Sequence, residues 1–312
     1  MFERSCKMGK IAFVFSGQGA QYVGMGRDFY DNVPAVKRMY DSAEKRRPGT
    51  IFQSFEGDAQ ELKKTENTQP CLCLADLAAA VALKELGVIP DGTAGFSLGE
   101  IPALAFAGAF SFDDCFDIVC RRGELMGAVC GETGMAAVLK LDADTIEKVC
   151  RSHENVWPVN YNCPGQIVVS GSSASLEACL EDLRTVGART VPLAVSGAFH
   201  SPFMVPASEK FGEFLRTCDR IGQPEIPVYS NETGERYGAD IRTQMASQIC
   251  HPVRWESLVR RMADDGYDTF IETGVGNTLK KFVEKILPGA RCFAVSDTES
   301  AAKVKKELYG DA

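Results

Sequence analysis

The sequence has no surplus of positive charge. Its 312 residues carry 34 Lys+Arg against 42 Asp+Glu, a net charge of −8. A protein that neutralises nucleic-acid phosphates needs the opposite balance, so nucleic acid is not an expected partner. An acidic partner would require a local basic patch on an acidic body. Long hydrophobic runs are also missing. No stretch approaches eighteen uninterrupted apolar residues, and no membrane span is expected. The opening MFERSCKMGK lacks an apolar core and a small-residue cleavage site, which points away from secretion and toward the cytoplasm. Structured sequence is expected to begin directly after Met8. Histidine is scarce, at three residues. The twelve cysteines are scattered, without zinc-ligand spacing beside histidine, and in a reducing compartment most of them read as small buried hydrophobes.

What is present is an alternation of short β-rich runs with amphipathic helical runs, the pattern of an α/β protein with a mainly parallel sheet. Ile11–Phe15 reads as a buried central strand bounded by Gly17 and Gly19. Residues 25–46 read as helical. A second helix is expected from near Thr68, with Pro70 in its first turn, to Gly87. Ser111 and Asp114 form a capping-box pattern opening the helix that carries Arg121 and Arg122. The middle third changes rhythm to strand 135–141, helix 142–153, strands 156–162 and 167–171, helix 173–186 and strand 189–195. That βαββαβ order is the ferredoxin-like unit. After it the larger pattern returns, with helices near 206–218, 241–249, 255–264 and 277–287 and strands 228–230 and 269–272. The expected architecture is a large hydrolase-like α/β body, residues 8–131 and 197–312, interrupted by a small ferredoxin-like subdomain at 132–196.

The sharpest local signal is Gly95-Phe96-Ser97-Leu98-Gly99-Glu100. G-x-S-x-G between a strand and a helix is a nucleophile elbow, whose glycines permit a tight turn that presents the serine hydroxyl at a helix N-terminus. A glycine–serine turn before a helix is the plainer reading; the flanking strand and helix favour the elbow. Serine needs a base. His153 lies at the polar end of a small-subdomain helix, and His251 precedes a proline after a helix, where capping is its natural role. His200, in a glycine-containing loop re-entering the large body, is the base candidate by elimination. Gly17-Gln18-Gly19-Ala20-Gln21 is wrongly spaced for a dinucleotide fingerprint and has no lysine for a P-loop. Its glycines instead allow close backbone approach at the carboxyl end of a strand, where an N–H can pair with the one following Ser97 as an oxyanion hole. Within Arg121-Arg122-Gly123 two readings stay open: a helix-edge arginine in water, or a buried clamp for a substrate carboxylate.

Taken in order, GQGAQ, G-x-SLGE, RG-x-x-M, N-x-N-x-PGQ, GAFHSP and ETG-x-G-x-x-L resemble the malonyl-CoA:acyl carrier protein transacylases of type II fatty acid synthesis. They are also similar to the acyltransferase domains of polyketide synthases. The similarity runs from about Met8 to Val295. It implies Ser97 as nucleophile, His200 as general base, Gln18 and Leu98 as oxyanion-hole donors, and Arg122 as the ligand of the malonyl carboxylate. Asn162 would line the pocket from the small subdomain, and Phe199 would crowd a 2-methyl branch. His200 would be held by backbone carbonyls, those of Ile249 or Cys250 being the candidates.

The implied reaction is ping-pong malonyl transfer, with malonyl-CoA and acyl carrier protein as partners and no metal or redox cofactor; nothing in the sequence suggests an obligate interface, so a monomer is expected. Phe96 departs from the histidine that many relatives carry before the nucleophile, which predicts altered kinetics rather than lost activity. Lys280, Lys281 and Lys285 are candidates for carrier docking, a solvated helix face being the plainer reading. The alternatives are a trans-acting polyketide acyltransferase, a serine thioesterase or hydrolase, and a catalytically silent binding paralogue.

Overall fold

The computed structural model describes residues 9–129, 131–195 and 197–310; Met8, the expected start, lies outside them. The central strand β1, Lys10–Phe15, pairs in parallel with β2, Gly92–Gly95. Its side chains alternate between two cores. Ile11, Phe13 and Phe15 pack with the helices on one face, Ala12 and Val14 with those on the other. Burial on both faces is why the run reads as continuously apolar.

Seven further strands complete two sheets: β3 Thr133–Leu139, β4 Val156–Cys163, β5 Gln166–Ser172, β6 Arg189–Pro192, β7 Val228–Tyr229, β8 Tyr267–Thr273 and β9 Arg291–Val295. The larger sheet has the order β7-β2-β1-β8-β9, every pairing parallel. The smaller has the order β4-β5-β3-β6, antiparallel throughout, with helices Ala143–Cys150 and Ser173–Thr185 between its strands. Strand β9 and the closing helix Thr298–Tyr309 add to the pattern read from the sequence.

Three local expectations are corrected. The helical run at 25–46 is two helices, Arg27–Asn32 and Pro34–Arg46, because Pro34 forces Val33 out of the helical region to φ −118°, ψ 105°. The long helix begins at Thr65 rather than near Thr68, so Pro70 is its sixth residue and removes one internal hydrogen bond. The last small-sheet strand stops at Pro192 instead of 195. After Leu193 donates to the Met135 carbonyl, the chain turns toward the cavity that Leu193 and Val195 line.

The two sheets meet where the site lies. Asn160 of β4 forms a parallel bridge with Val253, and Tyr161 and Val253 exchange backbone bonds with Val253 and Val159 respectively. The Ser170 hydroxyl donates to the Phe199 carbonyl. Among the described residues, no helix is long and apolar enough to cross a membrane.

Candidate active site

The register Phe15↔Gly95 sets the carboxyl ends of β1 and β2 side by side, so Gly17-Gln18 and Ser97 leave the sheet as neighbours. The elbow glycines are sterically required. A Cβ on Gly95 would lie 1.9 Å from the Gly99 carbonyl carbon, and one on Gly99 would lie 2.2 Å from the Phe15 carbonyl oxygen. One on Gly17 would meet the Phe96 carbonyl at 2.7 Å, which shows how closely the first loop packs on the elbow. Ser97 itself sits at φ +52°, the left-handed conformation that a non-glycine residue adopts only under constraint. His200 shares it, at φ +61°.

These two residues meet. Ser97 Oγ lies 2.7 Å from His200 Nε2. His200 Nδ1 lies 3.0 Å from the Gln248 carbonyl and 3.2 Å from that of His251. Because both are acceptors only, Nδ1 must carry the proton, and Nε2 is left to accept from the serine hydroxyl. The sequence expectation of Ile249 or Cys250 is corrected here: the Ile249 carbonyl instead accepts the His200 backbone N–H, because the short helical turn Gln248–Cys250 aims its first carbonyl at the ring. Burial, and then the nearby Arg122 charge, push the imidazole down to about 4, so the base is neutral at physiological pH.

Arg122 is fully buried, while Arg121 on the same helix is only half-buried and pairs with Glu124. Its guanidinium donates to the Gln69 carboxamide at 2.9 Å, the Gln248 carboxamide at 2.9 Å and Ser97 Oγ at 3.2 Å. All three partners are neutral, and Nε has none. Burial pulls its pKa down to about 10, opposed by the charge of Glu100. Glu100 is buried too and raised to about 7 by desolvation, with Tyr237 and the Asn231 N–H donating to it.

Gln18, Leu98, Phe199 and Asn160 line a cavity of about 70 Å³ together with Ser97, His200 and Arg122. Gln18, Phe96, Asn160 and Leu193 continue into an adjoining cavity of about 250 Å³. Asn162, the expected lining residue, lies in this second cavity rather than beside Ser97; Asn160 lines both. Phe96 is held edge-on against Trp255, ring centroids 5.6 Å apart. His153 pairs with Asp182, and His251 bonds the carbonyl of Ser247, so neither approaches Ser97. The residues that spacing did not reveal are the amides: Gln69, Gln248 and Asn231 touch the site from loops and helices far apart in sequence.

A larger concavity, of about 740 Å³, lies elsewhere, lined by Arg46, Asp114, Asp117 and Arg220, whose charges neutralise one another. Among the described residues, no group of three or more His, Cys, Asp or Glu is placed to hold a metal ion. The ten described cysteines are all free thiols.

Comparison with known proteins identifies the family. The acyl transferase domain family matches residues 12–309. The chain belongs to that family. It is 43% identical over 303 residues to the malonyl CoA-acyl carrier protein transacylase of Bacillus subtilis, covering 94% of this chain and 95% of that protein. It is 38% identical over 288 residues to a transacylase of the same name from Staphylococcus aureus, covering 89% and 93%. Among solved acyl transferases, the Clostridium perfringens malonyl CoA-acyl carrier protein transacylase superposes with a TM-score of 0.92 at 36% identity, covering 96% of this chain and 97% of that one. A malonyl-transacylase solved in complex with a holo type II polyketide acyl-carrier protein superposes at 0.91 with 32% identity, covering 96% and 99%.

Proposed function

We propose that this acyltransferase moves a malonyl group from coenzyme A to the phosphopantetheine thiol of an acyl carrier protein through a malonyl-Ser97 ester. The observation that carries the reading is Arg122: a buried cation, hydrogen-bonded only to neutral groups, with one nitrogen 3.2 Å from the reactive hydroxyl. A guanidinium in that setting gains most from a carboxylate brought in by the substrate. A malonyl thioester places such a carboxylate one methylene from the carbonyl that Ser97 attacks. Acetyl groups have none and leave the cation uncompensated.

The chemistry follows from the contacts. His200 Nε2 takes the proton as Ser97 Oγ attacks the thioester carbonyl. The Gln18 and Leu98 N–H groups would donate to the developing oxyanion. The thiolate of coenzyme A leaves with the proton from His200, and the ester remains. The carrier thiol then gives its proton to His200, attacks the ester, and Ser97 departs as the alcohol. No metal or redox group takes part in these steps.

The body at 8–131 and 197–312 would supply nucleophile, base and clamp, and the insertion at 132–196 the opposite wall. Phe199, which lines the small cavity together with Arg122 and Met126, would restrict a 2-methyl branch. We further propose a cytoplasmic monomer acting in fatty acid synthesis. Incubation with malonyl-CoA followed by intact-mass analysis tests the assignment. A single malonyl adduct is expected, lost in Ser97→Ala, stable without thiol and discharged by holo carrier protein. Rapid loss to water would mean a hydrolase, and no adduct a silent binding protein.

A further inference from the structure

The pairing of β2 with β7 registers Thr93↔Val228 and Ala94↔Tyr229, and there β7 ends. Two residues later stands Asn231, in register with Phe96. A residue of a parallel ladder receives the N–H of one residue on the neighbouring strand and donates to the carbonyl two residues before it. The Asn231 side chain does this in place of a backbone. Its Nδ2 donates to the Gly95 carbonyl at 2.6 Å, and its Oδ1 accepts the Ser97 N–H at 2.7 Å. The sheet is thus continued by a carboxamide across the residues that bend into the left-handed turn. The Asn231 main chain is consequently free for other bonds: its N–H donates to Glu100 Oε2 at 2.6 Å, and its carbonyl accepts from the Arg254 N–H at 2.8 Å. Glu100, the first residue of the helix after the elbow, takes a second bond from the Tyr237 hydroxyl. Asn231 and Glu100 are fully buried.

We propose that Asn231 is a positioning residue, whose carboxamide holds Ser97 in its left-handed conformation, with Glu100 and Tyr237 fixing Asn231 in turn. The inference rests on Ser97 being the nucleophile. It also explains why the oxyanion donor after the serine is the Leu98 N–H: the Ser97 N–H is already occupied by Asn231, and its carbonyl by the Gln248 amide at 2.7 Å.

The test is the rate of Ser97 acylation by malonyl-CoA in the full chain, read by quenched intact mass. Asn231→Ala should slow acylation about 100-fold while KM for malonyl-CoA stays within about threefold, because the clamp on Arg122 does not pass through Asn231. Asn231→Asp keeps the acceptor for Ser97 but sets a carboxylate against the Gly95 carbonyl. Protonation restores the donor, so this variant should gain rate as pH falls from about 8 to about 5.5. Glu100 accepts the Asn231 N–H, Tyr237 donates to Glu100, Glu232 is the next residue, and Arg122 and His200 bond Ser97; all are present in the wild type as well, so the difference between the two profiles belongs to the introduced carboxyl. Tyr237→Phe should slow acylation about threefold to tenfold, and by less when added to Asn231→Ala.

Acylation of Asn231→Ala within twofold of wild type would overturn the proposal, as would parallel pH profiles for Asn231→Asp and wild type, or additivity of the Tyr237 and Asn231 effects. Should Asn231→Ala fail to fold, the Asn231→Asp profile and Tyr237→Phe decide. A wild-type chain that takes no label at Ser97 would instead remove the nucleophile assignment itself.

Discussion

At the scale of single residues the site is governed by a cation beside a base. Burial, with the Arg122 charge added to it, holds His200 near 4, which keeps the ring neutral and able to accept a proton. The same cation donates to Ser97 Oγ and favours its alkoxide. A bound malonyl carboxylate would neutralise Arg122, so substrate binding should raise the basicity of His200 at the moment it is needed. Removing the guanidinium therefore has two predictable effects. Arg122→Ala should cost about 10²–10³-fold in kcat/KM for malonyl-CoA and shift preference toward acetyl-CoA, the loss of two charge-assisted hydrogen bonds. Its imidazole should also protonate at higher pH, because a positive neighbour is gone while burial remains. The acid limb of acetyl loading should accordingly move upward from the wild-type position. A limb that stays in place would mean that burial alone sets the base, and an unchanged acyl preference would remove Arg122 from substrate recognition.

At the scale of elements, the elbow shows what the sequence disclosed and what it withheld. G-x-S-x-G between a strand and a helix was legible because each glycine answers a local steric demand, and the βαββαβ insertion was legible because its periodicity switches over whole elements. The loop proposed to hold the oxyanion was legible as glycines after β1, and it packs against the elbow. Gln69, Gln248 and Asn231 were not, because a carboxamide leaves no periodic or spacing signature and its partners are fixed only when distant loops come together. The carbonyl partners of His200 were misread by one residue on each side for the same reason: which carbonyl points at the ring depends on the turn Gln248–Cys250, not on composition. The helical break at Val33 followed from Pro34 and was recoverable in principle. Element packing also gives a stability prediction. Gly99→Ala places a methyl 2.2 Å from the Phe15 carbonyl, a backbone atom that cannot yield without moving β1. A destabilisation of about 3 kcal/mol or more is expected in urea unfolding. A loss under about 1 kcal/mol would show that β1 and the elbow are not rigidly apposed.

At the scale of the whole molecule, a body of net charge −8 has to receive a carrier protein, which the family resemblance implies is itself acidic. Overall repulsion makes the location of positive charge decisive. The helix Thr278–Ile286 is suited to the task for a reason independent of charge: its Leu279 and Phe282 line the cavity that adjoins Ser97, so its outer face flanks the approach to the site. On that outer face Lys281 and Lys285 are exposed, while Lys280 is engaged by Glu284. The two exposed lysines should therefore carry most of the effect. Reversing both to glutamate should raise the apparent KM for holo carrier protein about fivefold to tenfold at low salt, and the effect should shrink as ionic strength rises and the charges are screened. KM for malonyl-CoA should not change, because the ester at Ser97 forms before the carrier arrives. Equal effects on both substrates would place the lysines in binding coenzyme A, and no effect on either would move the docking surface to another face of the protein.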